Sequence, residues 1–269
     1  MSLKKFRPRV LTKAIKSIYF LRTDRVSDEL ELHRHLPDGT FDLILNLGDP
    51  IYHINAQSEM RRPDNILIGG VSEAFYLKYP KRTWLACVVF QPGYASLFLK
   101  DRLDSVTAQT IESSLIYGKD VHQLEQELRA NIEDEQRAWL LEQFLIRKAD
   151  SKPSYYHERM AYTCDLISRC DKMSMSNLSS EVCMSERNFR RIFKELVGYT
   201  PKQFAKIRRI KKVMYLLKDK RRILECAIQL GFYDTAHLIH DFQSIAGTSP
   251  VTFSEKFDRL DEIFMSFNN

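Results

Sequence analysis

Long apolar runs are absent from these 269 residues. None approaches the ~18 residues that a membrane span requires, so no membrane partner is expected. No Cys-x-x-Cys pairing joins any of Cys87, Cys164, Cys170, Cys183 and Cys226, which argues against zinc and disulfide frameworks. Four of these thiols fall in helical or apolar contexts and Cys183 in a turn, the usage of reduced cysteines in a cytoplasmic protein. The basic N-terminus, MSLKKFRPRVLTKAIKSIYF, lacks an apolar signal core and a cleavage site, so secretion is not expected. No nucleophile–base or metal constellation stands out, so no catalytic residue, metal or cofactor is expected.

What the chain does have is charge in one place. Residues 185–222 hold 14 Lys/Arg against three acids, while residues 223–269 hold two against seven. The first 184 residues balance at 25 of each sign. A net charge of +6 therefore hides a concentrated footprint for a polyanion. A Lys/Arg-rich helix alone is more often a solvated face; a repeat in the same segment changes that weighing.

Ser185–Phe204, SERNFRRIFKELVGYTPKQF, returns 49 residues later as Asp234–Phe253, DTAHLIHDFQSIAGTSPVTF. The shared frame is a capping residue, then Phe189/Leu238, Phe193/Phe242, Leu196/Ile245, Gly198/Gly247, Thr200/Ser249, Pro201/Pro250 and Phe204/Phe253. In the first copy Phe189, Ile192, Phe193 and Leu196 make one apolar helix face. Arg187, Arg190, Arg191 and Lys194 make a cationic stripe on the other side, suited to a major groove. Asn177–Cys183 is long enough for a preceding helix, so helix, turn and basic helix form a helix-turn-helix. A long helix from Pro201 keeps Phe204, Ile207, Ile210, Met214 and Leu217 inward, with Lys206, Arg208, Arg209, Lys211 and Lys212 outside that stripe. Such a helix would space two readers along successive groove turns, ~34 Å apart. In the second copy the stripe becomes Ala236, Ile239, His240 and Gln243, with Asp234 and Asp241 adding repulsion, so the first unit is expected to supply most affinity.

Upstream, alternating or apolar runs at Ser17–Leu21, Leu30–Leu36, Phe41–Leu47, Ile51–Ala56, Ile66–Ile68, Phe75–Tyr79 and Trp84–Phe90, separated mostly by Gly/Pro/Asp turns, predict a small barrel or sandwich. From about Tyr94 the pattern is helical, and the polar stretch 148–154 with Pro153 reads as the interdomain linker. A small barrel either fills its interior or holds one ligand; Trp84, Tyr76 and Phe90 are candidate walls of a pocket, though core packing suits each better.

The second copy, Gly231-Phe232-Tyr233-Asp234 through Phe242 and then Gly247-Thr248-Ser249-Pro250 and Phe253, is similar to the signature of the AraC family of bacterial transcriptional regulators. The first, Met184-Ser185-Glu186-Arg187 through Lys194 and then Gly198-Tyr199-Thr200-Pro201, resembles its other half. Cys183 stands where the family has a turn glycine, and His240-Asp241-Phe242-Gln243 lacks the family's basic residues. Residues 36–49 and Phe90-Gln91-Pro92-Gly93 resemble an N-terminal, cupin-like domain of unknown ligand found on some of these regulators.

The resemblance implies an α+β protein of two domains: an N-terminal cupin-like β-barrel plus helices, and an all-α tandem helix-turn-helix joined by a linker helix. The expected division is 1–105 for the cupin-like domain, 106–150 for a helical, dimerising region, and 155–260 for the DNA-binding domain. The DNA-facing set is Ser185, Arg187, Asn188, Arg190, Arg191, Lys194, Lys202, Arg208, Arg209, Thr235, Ala236, His237, Ile239, His240 and Gln243. Duplex DNA and a second copy are the expected partners; RNA polymerase and an unidentified small-molecule effector stay open. His33 and His35 share a strand face, but where metal-binding cupins follow such a pair with a carboxylate this chain has Thr40, and half-exposed strand histidines are the better reading. Asp38 beside Gly39 reads as a turn residue. The alternative function, a cupin-type enzyme with an accessory DNA-binding domain, has no catalytic constellation behind it.

Overall fold

The computed structural model describes residues 2–24, 31–55, 57–99, 102–106, 109–130, 132–149, 154–170 and 174–257. Among them, β1 (Ser2–Phe6), β2 (Ile15–Asp24), β3 (Glu31–His35), β4 (Phe41–Asn46), β5 (Tyr52–Ile54), β6 (Glu59–Arg61), β7 (Asn65–Gly69), β8 (Phe75–Tyr79), β9 (Arg82–Phe90) and β10 (Gln109–Glu112) form two antiparallel sheets. The larger runs β1-β2-β9-β4-β7-β10, the smaller β3-β8-β5-β6. No ladder among these residues joins the two, so the expected barrel is corrected to an open pair of sheets.

The period-2 pleat explains why the middle of β2, Ile18–Leu21, and most of β9, Trp84–Phe90, are continuously apolar. Ile18, Phe20, Ala86, Val88 and Phe90 face one way, into a core shared with helices. Tyr19, Leu21, Leu85, Cys87 and Val89 face the other, against Leu77 and Tyr79 of the smaller sheet. The central sheet is therefore buried on both sides. The strands expected at Leu30–Leu36 and Ile51–Ala56 are present as β3 and β5, Leu30 and Ala56 lying outside the described residues. The sequence reading missed β1, β6 and β10. β1 and β10 are sheet edges and β6 is wholly exposed, and their charged side chains resemble polar connectors.

Helices α1 (Ser113–Tyr117), α2 (Asp120–Arg129) and α3 (Asp134–Lys148) cover the open face of the large sheet through Val121, Leu124, Leu141 and Phe144. After them come α4 (Tyr155–Arg169), α5 (Met175–Glu181), α6 (Glu186–Val197), α7 (Pro201–Lys218), α8 (Ile223–Gln229), α9 (Thr235–Ala246) and α10 (Pro250–Glu255). The same hydrophobic core runs on through Phe189, Phe193, Phe204, Phe242 and Phe253, all nearly inaccessible. The two halves thus share buried apolar surface, the dominant favourable term in association.

Candidate nucleic-acid interface

The repeat becomes two equivalent helix pairs. Helix α5 closes with Cys183 N–H on Ser180 O and Met184 N–H on Ser179 O; α8 closes with Gly231 N–H on Ile228 O and Phe232 N–H on Ala227 O. Both closing residues are left-handed, at φ 51° for Cys183 and 69° for Gly231. Ser185 Oγ and Asp234 Oδ1 then cap the next helices, accepting from Asn188 N–H and His237 N–H. Left-handed Gly198 and Gly247 end them, and Thr200 and Ser249, each followed by proline at the first helical position, start α7 and α10.

On α6, Phe189, Ile192 and Phe193 are buried while Ser185, Arg187, Arg190, Arg191 and Lys194 are exposed and Asn188 is half-buried. Arg190 pairs with Glu186 at 3.1 Å, and Arg191 with Glu195 at 2.9 Å and with Asn188 Oδ1 at 2.9 Å. These pairs hold the guanidinium groups extended along the helix on water-exposed ground, where such pairs are weak and exchangeable. Lys202, at the start of α7, is also exposed. On α9 the outward residues are Ala236, His237, His240 and Gln243, with Thr235 and Ile239 half-buried.

Two of the expected DNA contacts lie elsewhere. Arg208 Nη1 donates to Asp38 O at 3.1 Å and its Nε to Ser168 Oγ at 3.0 Å, so it belongs to the seam between the sheets and the helices. Arg209 sits 4.1 Å above the Phe232 ring and donates to Asp241 Oδ2 at 3.1 Å. Lys206 joins the same carboxylate at 2.9 Å, and His237 approaches it at 3.3 Å. Asp241, expected to repel DNA, is buried and turned inward. Burial alone would raise its carboxyl, but the Lys206 hydrogen bond and the charges of Lys206, His237 and Arg209 outweigh that and hold it below the ordinary carboxylate range. The physical reason is that the middle of α7 is packed by other helices, so Lys206, Arg208 and Arg209 are half-buried there, and Asp241 of the facing α9 turns in to meet Lys206 and Arg209.

The seam continues at Gly39, where φ is +85° and a Cβ would stand 2.8 Å from the Phe204 ring of α7. Asp38 Oδ1 accepts from Thr40 N–H and Thr40 Oγ1, the turn its sequence context implied. Lys211 is buried beside Asp38 at 4.0 Å. Burial brings the Lys211 ammonium down to about 7, opposed by Asp38 and assisted by Arg208 and Lys16. Burial likewise lifts Asp42 well above the carboxylate range, with Asp38 adding to it and the Thr40 hydrogen bond opposing. At the other contact, Arg102 lies 3.2 Å from Glu195 and Asp104 3.9 Å from Lys194, so the N-terminal domain touches α6 itself.

A cavity of about 110 Å³ lies between the two sheets and reaches Lys211 and Met214 of α7. Its walls include Tyr19, Phe75, Leu77 and Tyr79; Trp84, Tyr76 and Phe90, for which the sequence favours core packing, are not among them, and Tyr76 is exposed. Trp84 is instead flanked by Arg22 and Arg137, and Phe90 stacks on Phe98 in the core. His33 is buried rather than half-exposed, with its ring 5.2 Å from His35. His35 accepts or donates at 2.6 Å to Tyr79 Oη and stacks on Phe75, and burial pushes its pKa well below the ordinary value, leaving a neutral ring.

Two family models match the chain: a helix-turn-helix domain over residues 178–256 and a domain of unknown function (DUF6597) over residues 5–112. Residues 178–256 form an AraC-type helix-turn-helix domain. This AraC-type domain makes the protein a DNA-binding regulator. Solved structures similar to the chain include ToxT from Vibrio cholerae O395, at 14% identity and TM-score 0.46 over 88% of this chain and 95% of that one. The DNA-binding domain of AdpA in complex with a target DNA is 24% identical, with TM-score 0.34, over 39% of this chain and 94% of that one. The AraC-like activator CuxR is 9% identical, with TM-score 0.24, over 78% and 86%. No curated protein matches the sequence. No helix of the described residues is long and apolar enough to cross a membrane.

Proposed function

We propose that the protein is a sequence-specific transcription regulator in which α6 supplies most of the DNA affinity, α9 is a weaker second reader, and the N-terminal sheets sense a small molecule. The observation that carries this reading is the asymmetry between the two recognition helices. Helix α6 exposes Arg187, Arg190, Arg191 and Lys194, whereas α9 exposes Ala236, His237, His240 and Gln243. Guanidinium forks reach guanine O6/N7 or phosphate, while alanine and isoleucine suit thymine methyl groups and imidazole or amide suits a base edge. The DNA-facing set proposed is Ser185, Arg187, Asn188, Arg190, Arg191, Lys194, Lys202, Thr235, Ala236, His237, Ile239, His240 and Gln243, without Arg208 and Arg209.

The division into 1–105, 106–150 and 155–260 is part of the same proposal. An occupant of the inter-sheet cavity would touch Lys211 and Met214 on α7, the helix that spaces the two readers. Differential affinity for two arrangements of this seam is what a regulating ligand requires. A second copy and RNA polymerase are the macromolecular partners added by analogy, the first checked by sedimentation of the full chain. The deciding experiment is selection from random duplex DNA with the full-length protein. Two enriched boxes about one helical turn apart support recognition by both units, with the stronger information content in one box. Absence of any enriched sequence, with and without candidate effectors, would refute sequence-specific reading.

A further inference from the structure

The DNA-facing residues expected from the sequence all lie at or beyond Ser185. The structure sets one more cation beside them, and it comes from the other domain. Buried Leu103 anchors the single 3-10 turn Leu103–Ser105 in the core, and this turn packs on α6. Arg102 O accepts from Ser105 N–H at 3.1 Å and from Ser105 Oγ at 2.6 Å, which fixes the backbone from which the Arg102 side chain projects. Arg102 Nε and Nη2 donate to the two carboxylate oxygens of Asp104 at 3.0 and 2.9 Å, and Nη1 lies 3.2 Å from Glu195 Oε1. That same oxygen accepts from Arg191 at 2.9 Å, and Asp104 Oδ2 lies 3.9 Å from Lys194. Arg102 therefore shares one acid with each of Arg191 and Lys194, the last two members of the cationic stripe on α6.

Exposure decides what this network offers to a polyanion. The side chains of Arg102, Arg191 and Lys194 are 60%, 56% and 52% exposed, whereas those of Asp104 and Glu195 are 14% and 15% exposed. The cations stand outward and the acids lie beneath them. Ion pairs made by such exposed cations contribute little, so a phosphate oxygen can replace an acid oxygen at small cost. Each phosphate neutralised in this way releases condensed counterions, which favours the complex. A planar guanidinium can also keep Asp104 on one edge while another edge turns to phosphate. Helix α9 lacks the arrangement. Gln243 and Ser244 stand at the positions of Lys194 and Glu195, and the N-terminal domain meets the end of α9 through a backbone bond, Ala74 N–H on Ile245 O at 2.8 Å. A cation added beside α6 deepens the asymmetry between the two readers.

We propose that Arg102 contacts a DNA phosphate, so that the N-terminal domain extends the reading surface of α6. This rests on α6 being the reading helix and adds a residue from outside the helix-turn-helix domain. Titration of the full chain at several salt concentrations tests it, with a selected duplex and an unrelated duplex of equal length as probes. Arg102→Gln weakens binding to both by the same factor, roughly five- to tenfold near ~0.1 M salt, and the salt dependence of log affinity falls by about one. The ratio of the two affinities is unchanged, because phosphate contacts carry no sequence information. Arg102→Lys keeps the charge and most of the salt dependence, and both variants melt close to the wild type because the side chain is mostly exposed. Unchanged affinity and salt dependence in Arg102→Gln overturn the proposal. A gain in affinity also overturns it, since Arg102 would then be restraining α6. So does an altered ratio between the two duplexes, which would show Arg102 acting on base reading through Glu195 and Arg191. If Arg190→Ala is silent in the same titrations, the reading of α6 itself fails; if Arg102→Gln alone is silent, that reading stands without the added contact.

Discussion

Replacing Arg190 by alanine separates DNA recognition from folding because the structure gives the two effects different sizes. The side chain is 57% exposed, and among the described residues it pairs with Glu186, 46% exposed, one turn earlier. An exposed i,i+4 pair contributes roughly 0.3–0.5 kcal/mol, and alanine has the higher helix propensity, so the loss of stability is smaller still. At the scale of about 2–4 °C per kcal/mol for a chain of this size, melting moves by less than about 2 °C. A guanidinium that reads a guanine edge is worth about 1–3 kcal/mol, which is roughly 5- to 150-fold in affinity. If Arg190 meets only phosphate, sequence preference is unchanged and the salt dependence of log affinity falls by about one. Titrations of a selected duplex at several salt concentrations distinguish these outcomes. His240→Ala on α9 should cost less than Arg190→Ala. Affinity and salt slope both unchanged in the Arg190 variant would show that the outward face of α6 is not the reading face; a larger loss at His240 would reverse the ranking of the two helices.

Four further outcomes are expected. Cys183→Gly should stabilise the chain by about 0.5–1 kcal/mol in chemical denaturation, because relief of the left-handed strain, roughly 1–2 kcal/mol, exceeds the entropy cost of glycine, and the exposed thiol gives up little packing. Gly39→Ala should destabilise by more than about 1–2 kcal/mol, since it adds strain at φ +85° and sets a Cβ 2.8 Å from the buried Phe204 ring; an unchanged denaturation midpoint would show that the seam yields freely. Asp241→Asn should cost about 1–3 kcal/mol near neutral pH through the lost charge-assisted contacts to Lys206 and Arg209. That contribution is present above the unfolded carboxylate pKa of ~3.9 and disappears as pH falls through the lower folded value, so wild type and variant converge in acid. Lys211 has a folded pKa of about 7 against 10.5 for the free side chain, so unfolding takes up a proton between those values and stability rises with pH across that window. Lys211→Met should remove that share of the slope, leaving the part due to Lys16 at about 8; an identical slope in the variant would contradict the burial of an ammonium at the seam.

The helix-turn-helix pairs were legible because every signal involved is local. Caps at Ser185, Thr200 and Ser249, the glycines 198 and 247, the proline that follows each of Thr200 and Ser249, and the 3–4 spacing of Phe189, Ile192 and Phe193 act within one turn of their own helix. The alternation in β2 and β9 is local in the same sense, and it announces strands without saying whether a sheet closes. Arg208, Arg209 and Lys211 show where local reasoning stops. Helical spacing places them off the apolar stripe, but only the arrival of Asp38, Ser168 and Asp241 from distant segments turns them away from solvent. Cys183 lies between the two cases, its turn visible in the repeat and its positive φ visible only in the backbone.

Sequence by itself determined the tandem helices, the cationic face of α6 and the apolar content of the central strands, since periodicity and capping are properties of neighbouring residues. Tertiary structure alone decided which cations remain exposed, that the two sheets stay open, and that Arg102 comes to lie beside α6. Those outcomes depend on desolvation and on groups brought together from 32 residues away for Arg209 and Asp241 to 170 for Arg208 and Asp38, beyond the reach of local periodicity and capping.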